Sequence, residues 1–425
     1  GAMLLMDIGK LIVTGVVAYY VGKGVTRLGM PAILGWLVTG MALGPHGVGL
    51  LGDSILDAGW YTVTESILEC MLGLMIGTEL IWAKLKRSGK QILVTTMTES
   101  LGAFVVVSLV FGVIFTLTQV PVYLAFLFGG IALATAPAPS LSIVNQMKTA
   151  GPVTSTLIPM AVLDDLVAAL VFFTVVAFTS AHISTQSLSV GAVLVMVFLP
   201  VPLGMLLGWL SGLLLRRVQS PRLGAGLLAG ALVLAAAFGM YLNQRVLPMP
   251  ALNFMLLGMG LSAVVANMLS QSQRDAIMAR LNPVINVALL VLILNLGAPL
   301  DYHLILGAGI YTAVYILARA AGKYGGAYLG AALTGAEPTV KKYLGFTLLP
   351  HSGVSLVFTG IAVSLLQDPA PECAAILQGT IAAAAVINEF IAVLTARKGF
   401  AWAGELYQAK EAVEVETSGT PSPQS

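Results

Sequence analysis

Apolar residues run along this chain in long blocks. From residue 5 to residue 396 the blocks recur, separated by short polar turns. A helix that crosses hydrocarbon needs about 20 consecutive apolar residues. The pattern therefore predicts thirteen spans: 5–27, 31–50, 61–80, 92–118, 121–147, 152–180, 189–215, 224–243, 249–270, 283–299, 303–333, 342–366 and 373–396. Past residue 400 the text turns polar, and "GELYQAKEAVEVETSGTPSPQS" ends in Ser, Pro and Gly. This predicts a disordered cytoplasmic tail over 401–425. The leading "GAM" reads as a tag-cleavage remnant and is set aside.

Composition agrees with the spacing. The chain of 425 residues is 58% hydrophobic and 9% charged. Soluble domains carry about 25% charged residues, so this chain cannot cover a water-facing surface and reads as an all-α polytopic membrane protein. A net charge of +2 gives no reason to expect nucleic acid as a partner. Cys70 and Cys373 have neither metal spacing nor a disulfide framework and read as packing residues. No phosphate-cradling loop, zinc spacing or nucleophile elbow is present, so neither a cofactor nor an enzyme activity is expected.

Charge fixes the orientation. Lys23 and Arg27 follow the first span, Lys84, Lys86, Arg87 and Lys90 the third, and Lys148 the fifth. Arg216, Arg217 and Arg222 follow the seventh, Arg274 and Arg280 the ninth, Lys341 and Lys342 the eleventh, and Arg397, Lys398 and Lys410 the last. After the even-numbered spans there is only Arg245. Positive loops stay cytoplasmic, which puts the N-terminus outside and the C-terminus inside. Thirteen spans divide as six, one and six, and a single linking helix gives the two sixes opposite orientation. That is the arithmetic of an inverted repeat.

Two spans carry breaks. Span 5 contains "ATAPAPSLS" (134–142), and span 12 contains "LLPHSGVSL" (348–356). Each proline removes a backbone donor and clashes with the preceding turn. Each break is the fifth helix of its six, and matched interruptions are the best sequence pointer to a transport site. Freed carbonyls can coordinate a cation, with half-helix ends aiming their dipoles at it. Two tolerated proline kinks are the plainer alternative.

Charges in the apolar blocks sharpen this. Asp164 and Asp165 sit midway along span 6 in "AVLDDLVAALVF". An aspartate at the bilayer centre costs about 3 kcal/mol on insertion scales, so two in succession point to a wet cavity. Like charges this close disfavour double ionisation, and such a pair can trade a proton for a cation. A helix-packing pair satisfied by Ser and Thr is the alternative. Span 11 offers Arg319 and Lys323, four apart on one face among small residues. Buried lysine can give up its proton whereas arginine stays charged. Lys323 is thus the better proton participant, and Arg319 is either a fixed charge or a side chain reaching to the cytoplasmic interface. Glu65 and Glu69 could line an outer entrance. Glu79 and Glu99 could equally be interfacial. Asn388 and Glu389 lie deep in span 13, and His351 touches the second break, either titrating near neutrality or simply hydrogen bonding.

These stretches resemble a known family. "ATAPAPSLSIVNQMKTAGPVTSTLIPMAVLDDLVAALVF" resembles the fifth–sixth helix region of the cation:proton antiporter superfamily, particularly its bacterial sodium/proton and Kef-type branch. "LGWLVTGMALGP" is similar to that family's second helix, "GKYGGAYLG" to its lysine helix, and "YLGFTLLPHSGVSLVFTGIA" to its second broken helix. The resemblance implies a thirteen-helix sodium/proton-antiporter-like fold over 1–400 and a homodimer in the bacterial inner membrane. Spans 1–2, 7 and 8–10 would form the scaffold, and spans 3–6 and 11–13 a mobile core. It implies that Asp165 binds the monovalent cation and the proton, that Asp164 is its neighbour, and that Lys323 pairs with Asp164 in the empty state. Thr135, Ala136, Pro137, Ser140 and Ser142 would line the first crossover, and Pro350, His351, Ser352 and Gly353 the second.

The expected activity is electrogenic exchange of Na⁺ for protons by elevator-like alternating access. Potassium or lithium in place of sodium stays open, because the first break carries two prolines where sodium-selective members often have Thr and Ser. Kef-like potassium efflux fits less well, since those proteins carry a large nucleotide-binding domain where this chain has a short tail. An organic-anion symporter on the same architecture, holding its substrate with helix N-termini, is the alternative of another class.

Overall fold

In a computed structural model the described residues are 1–28, 32–78, 80–183, 191, 195, 198–247, 252–301, 309–351 and 354–409. They form helices. The first span is α1 (Ala2–Arg27). The second is shorter than expected: α2 (Ala32–Leu43) stops where "GPHG" forces a turn, and α3 (Asp53–Leu56) is a single turn. Next come α4 (Gly59–Gly77) and α5 (Trp82–Thr118), which begins ten residues before the apolar block because a helical, Lys-bearing stub precedes it. Gln119 ends α5 in the left-handed conformation, φ 58°.

The fifth span is broken into α6 (Tyr123–Ala132) and α7 (Pro137–Gln146), joined by an extended segment. Pro137 sits at the first helical position of α7, where no backbone donor is needed. The sixth span is α8 (Pro152–Ile183). Part of the expected linker span lies outside the described residues, and its latter half is α9 (Pro200–Leu215). Then follow α10 (Pro221–Arg245), α11 (Phe254–Met268), α12 (Gln271–Gly297) and α13 (Ile310–Leu333). The twelfth span departs from expectation. Its first half is only the short α14 (Pro338–Tyr343) and a 3₁₀ turn over Leu344–Thr347, and α15 (Val354–Leu366) follows the break. The last helix is α16 (Pro371–Trp402). Six of these described helices are long and apolar enough to cross a membrane, and α2, α6, α9 and α11 are shorter apolar helices.

The helices pack in two groups. In the first, α11 lies between α4 and α9, with α10 and α12 beside them, while α2 joins α1 to α12. In the second, α5 packs against α13, α6 and α8, and α16 against α15 and α13. Span 3 was expected with spans 4–6, but α4 packs chiefly on α11, α10 and α12. Glycine decides both tightest pairings, because small residues let backbones approach. A Cβ added at Gly73 would lie 2.5 Å from the backbone nitrogen of Met259, and one at Gly322 would lie 2.7 Å from the carbonyl oxygen of Gly102. Aromatic rings fill the second group: Phe111 stacks on Phe128 at 4.5 Å and Phe172 on Phe358 at 4.2 Å.

Residues 401–409, expected to belong to a disordered tail, are packed on the helices. Glu405 is buried and caps α8: its carboxylate accepts from the backbone nitrogens of Val153 (2.9 Å) and Thr154 (2.8 Å) and from the Thr154 hydroxyl (2.8 Å). The Glu405 carbonyl accepts from Ala150 (3.1 Å), and Tyr407 and Ala409 donate to the carbonyls of Met147 and Lys148. An acid suits this place because a helix N-terminus exposes donors and positive dipole.

Candidate functional site

The two breaks meet. Ala136 donates its backbone N–H to the Pro350 carbonyl at 2.9 Å, and the Ser140 hydroxyl donates to the Thr347 carbonyl at 2.7 Å. A broken helix leaves carbonyls without intrahelical donors. Arg319, fully buried on α13, supplies them. It donates to Ala132 (2.7 Å) and Ala134 (2.7 Å) on one break and to Leu349 (2.5 Å) and Pro350 (3.3 Å) on the other. Arg319 is therefore the fixed charge of the two alternatives, not a side chain reaching to the interface. Asn388 adds a bond to the Leu349 carbonyl at 3.0 Å, and Glu389 accepts from the His351 backbone N–H at 2.6 Å. The His351 ring is buried against the Tyr315 hydroxyl at 2.6 Å, which gives it the hydrogen-bonding role.

The carbonyls expected to receive a cation are thus held by the protein's own side chains. A cation at the C-terminal end of α6 is favoured by the helix dipole, and Arg319 already stands there.

One turn further along α13, Lys323 is also fully buried. Its ammonium lies 3.7 Å from Asp164, as expected of that pair. A closer partner is Glu99 on α5, at 2.8 Å. Lys323 also bonds the Leu133 carbonyl (3.2 Å) and the Thr135 hydroxyl. Thr135 in turn donates to Asp164 at 2.5 Å, and Ser100 donates to the other Asp164 oxygen. Glu99 sits opposite the lysine because glycine brings the helices together: a Cβ at Gly326 would lie 2.7 Å from the Cα of Glu99. Sequence alone left Glu99 as a possible interfacial residue and passed over Ser100. The i, i+4 spacing of Gly322, Gly326 and Gly330 on the lysine helix was the available signal that a neighbour would press against Lys323.

Asp165 has a different environment. It is 4% exposed, and its Oδ1 has no hydrogen-bond partner. Beyond its own helix, its polar neighbours include Asn253, the N-cap of α11, and Glu69 on α4. Asn253 was not anticipated; an asparagine immediately before an apolar block was the visible cue for a cap. Farther along α4, the Tyr61 hydroxyl donates to Asn295 at 3.2 Å.

The remaining expected residues divide as follows. Ser142 is buried and accepts from the Gln146 amide at 3.2 Å. Glu79, Ser352 and Gly353 lie outside the described residues.

Buried carboxylates beside a buried lysine, flanked by two helix breaks joined through an arginine, define the class: a secondary transporter of the antiporter fold. Residues 12–397 match the family described as sodium/hydrogen exchanger, transmembrane, and the chain belongs to that family. Its fold is similar to that of the sodium proton antiporter MjNhaP1 from Methanocaldococcus jannaschii. The structure of that protein at pH 8 aligns with a TM-score of 0.68 at 18% identity, covering 94% of this chain and 97% of that one. Its electron-microscopy structure aligns with a TM-score of 0.74 at 18% identity, covering 99% and 100%. A comparison with curated proteins gave no match.

Proposed function

We propose that the protein exchanges a monovalent cation, Na⁺ before K⁺ or Li⁺, for protons, and that Asp165 is the exchange site. The observation that carries this reading is the contrast inside one buried dyad. Asp164 is closed by Ser100, Thr135 and Lys323, whereas Asp165 keeps one carboxylate oxygen without a partner. A bare carboxylate oxygen inside a protein is expensive and is retained where a cation or proton visits. The anion-symporter alternative needs positive ends free to hold an anion, and Arg319 is spent on four carbonyls.

In the cycle we propose, protonated Asp165 releases its proton as the cation enters. Entry weakens the Lys323 contact with Asp164 and Glu99 and frees a second proton, which makes exchange electrogenic. The group built on α5, α6, α8, α13, α15 and α16 then shifts against the group built on α4 and α9–α12, in a thirteen-span inverted repeat with its N-terminus outside. Assembly as a homodimer in an inner membrane belongs to the same reading. The test is proteoliposome exchange with imposed Na⁺ gradients. Asp165→Asn is expected to abolish cation-driven proton flux; flux equal to that of the unaltered protein removes the assignment.

A further inference from the structure

We propose that Glu99 carries the second exchanged proton, on the carboxylate oxygen that faces Ser100, while Lys323 stays charged throughout the cycle. The inference rests on the reading of Asp165 as the exchange site and names where the other proton sits.

Counting hydrogens carries it. An ammonium has three to give. Lys323 gives all three: to Glu99 Oε1 at 2.8 Å, to the Leu133 carbonyl at 3.2 Å and to the Thr135 hydroxyl. At 3.7 Å its attraction to Asp164 is ionic, and Thr135 supplies the hydrogen bond to that carboxylate, at 2.5 Å. A neutral amine would leave one of the three acceptors unmet, and Lys323 is fully buried.

Across the cluster the count falls one short. Ser100 has a single hydroxyl hydrogen and two carboxylate oxygens in reach, Asp164 Oδ1 and Glu99 Oε2, the latter at 3.3 Å. The nearer Asp164 oxygen takes it. Ser100 Oγ then meets Glu99 Oε2 with lone pairs on both atoms, which repel unless Oε2 bears a proton. With that proton the chain closes: Glu99 Oε2–H donates to Ser100, and Ser100 donates to Asp164. Ser100 is set aside for this use. Its neighbours on α5, Thr96 and Thr98, donate to the carbonyls of Ile92 and Val94, one turn back, as helix hydroxyls commonly do.

Charge gives the same answer. Glu99 faces Lys323 on α13 and Asp164 on α8, and Arg319 stands one turn before Lys323. The break between α6 and α7 contributes the neutral Thr135. Arg319 is occupied by the carbonyls of the breaks. Glu99, Ser100, Asp164 and Lys323 are all buried. Two ionised carboxylates beside one ammonium leave an uncompensated buried charge, and one proton removes it. A cation on Asp165, next in sequence to Asp164, supplies positive charge in place of that proton. The Glu99 O–H bond then breaks and its electron pair stays on Oε2. Ser100 takes the proton as it passes its own to Asp164, from which water entering with the cation receives it.

Glu99→Gln tests this, because an amide copies the protonated acid: its oxygen can accept from Lys323 and its nitrogen can donate to Ser100. The variant should fold, melt with the unaltered protein and exchange one proton per cation instead of two. The probe is Na⁺ in proteoliposomes with the membrane potential held at zero. A proton gradient of about tenfold should balance a Na⁺ gradient of about a hundredfold in the unaltered protein and of about tenfold in Glu99→Gln. A balance in the variant equal to that of the unaltered protein overturns the proposal. Loss of folded variant overturns it too, because Glu99 would then be an ionised counter-charge that the lysine needs. Equal proton and Na⁺ gradients at balance in the unaltered protein leave no second proton to carry and have the same effect. For a folded variant that exchanges nothing, infrared difference spectra on adding Na⁺ decide. The unaltered protein should lose two protonated-carboxyl bands and Glu99→Gln one, and loss of the same bands in both overturns the proposal. Full exchange by Asp165→Asn overturns the Asp165 reading instead.

Discussion

Asp164 and Asp165 are neighbours in sequence and opposites in structure. Adjacent helix positions point about 100° apart, so one carboxylate looks into the α5–α13 pairing and the other toward α11 and α4. The first meets Ser100, Thr135 and Lys323 and is closed on all sides. The second is buried and keeps an oxygen bare. The lesson is that a buried charge with every bond made is part of the framework, while one with a bond missing is available for work. Arg319 belongs with Asp164 in this respect: embedded and charged, yet wholly occupied in joining the two breaks.

The comparison can be broken by mutation. The largest effect is expected from Arg319→Met. The Ala132 and Ala134 carbonyls lose their side-chain donor, at about 1–3 kcal/mol for each group left unsatisfied, while Leu349 and Pro350 keep Asn388 and the Ala136 N–H; folded protein should fall sharply in size-exclusion profiles in detergent. Asp164→Asn comes next. Removing one partner from a buried ion pair costs about 3–5 kcal/mol, so its thermal midpoint should drop clearly. Asp165→Asn, by contrast, should melt within a few degrees of the unaltered protein while exchanging nothing. Equal destabilisation by the two asparagine variants would erase the distinction between framework and exchange carboxylate. Glu405→Ala sharpens the picture at the far end of α8. Loss of a charged cap should cost about 1–2 kcal/mol, visible as a lower midpoint in the same melts.

Much of this was readable beforehand. Block lengths predicted long apolar helices, prolines the breaks, and Asp164, Asp165 and Lys323 stood out as embedded charges, which the fold buries close together. What escaped is instructive. Glu99 looked interfacial because position along a span says nothing about which neighbour covers it; the glycines of α13 decided that. The first half of span 12 was read as helix because hydropathy cannot tell a 3₁₀ turn and extended chain from an α-helix once both are buried. Span 3 was grouped with spans 4–6, and α4 packs chiefly on α11, α10 and α12; a helix's own residues do not name the helix it contacts. Freed carbonyls suggested a cation site, and a cation is there, but it is the side chain of Arg319.

Glycine-lined contacts have one more implication. Where backbone lies against backbone, as between α4 and α11 or α5 and α13, there are no flexible side chains to absorb sliding. Helix α8 contains no glycine, and it touches α11 and α4 only lightly. Compliance is thereby concentrated along one flank of the helix that carries Asp165.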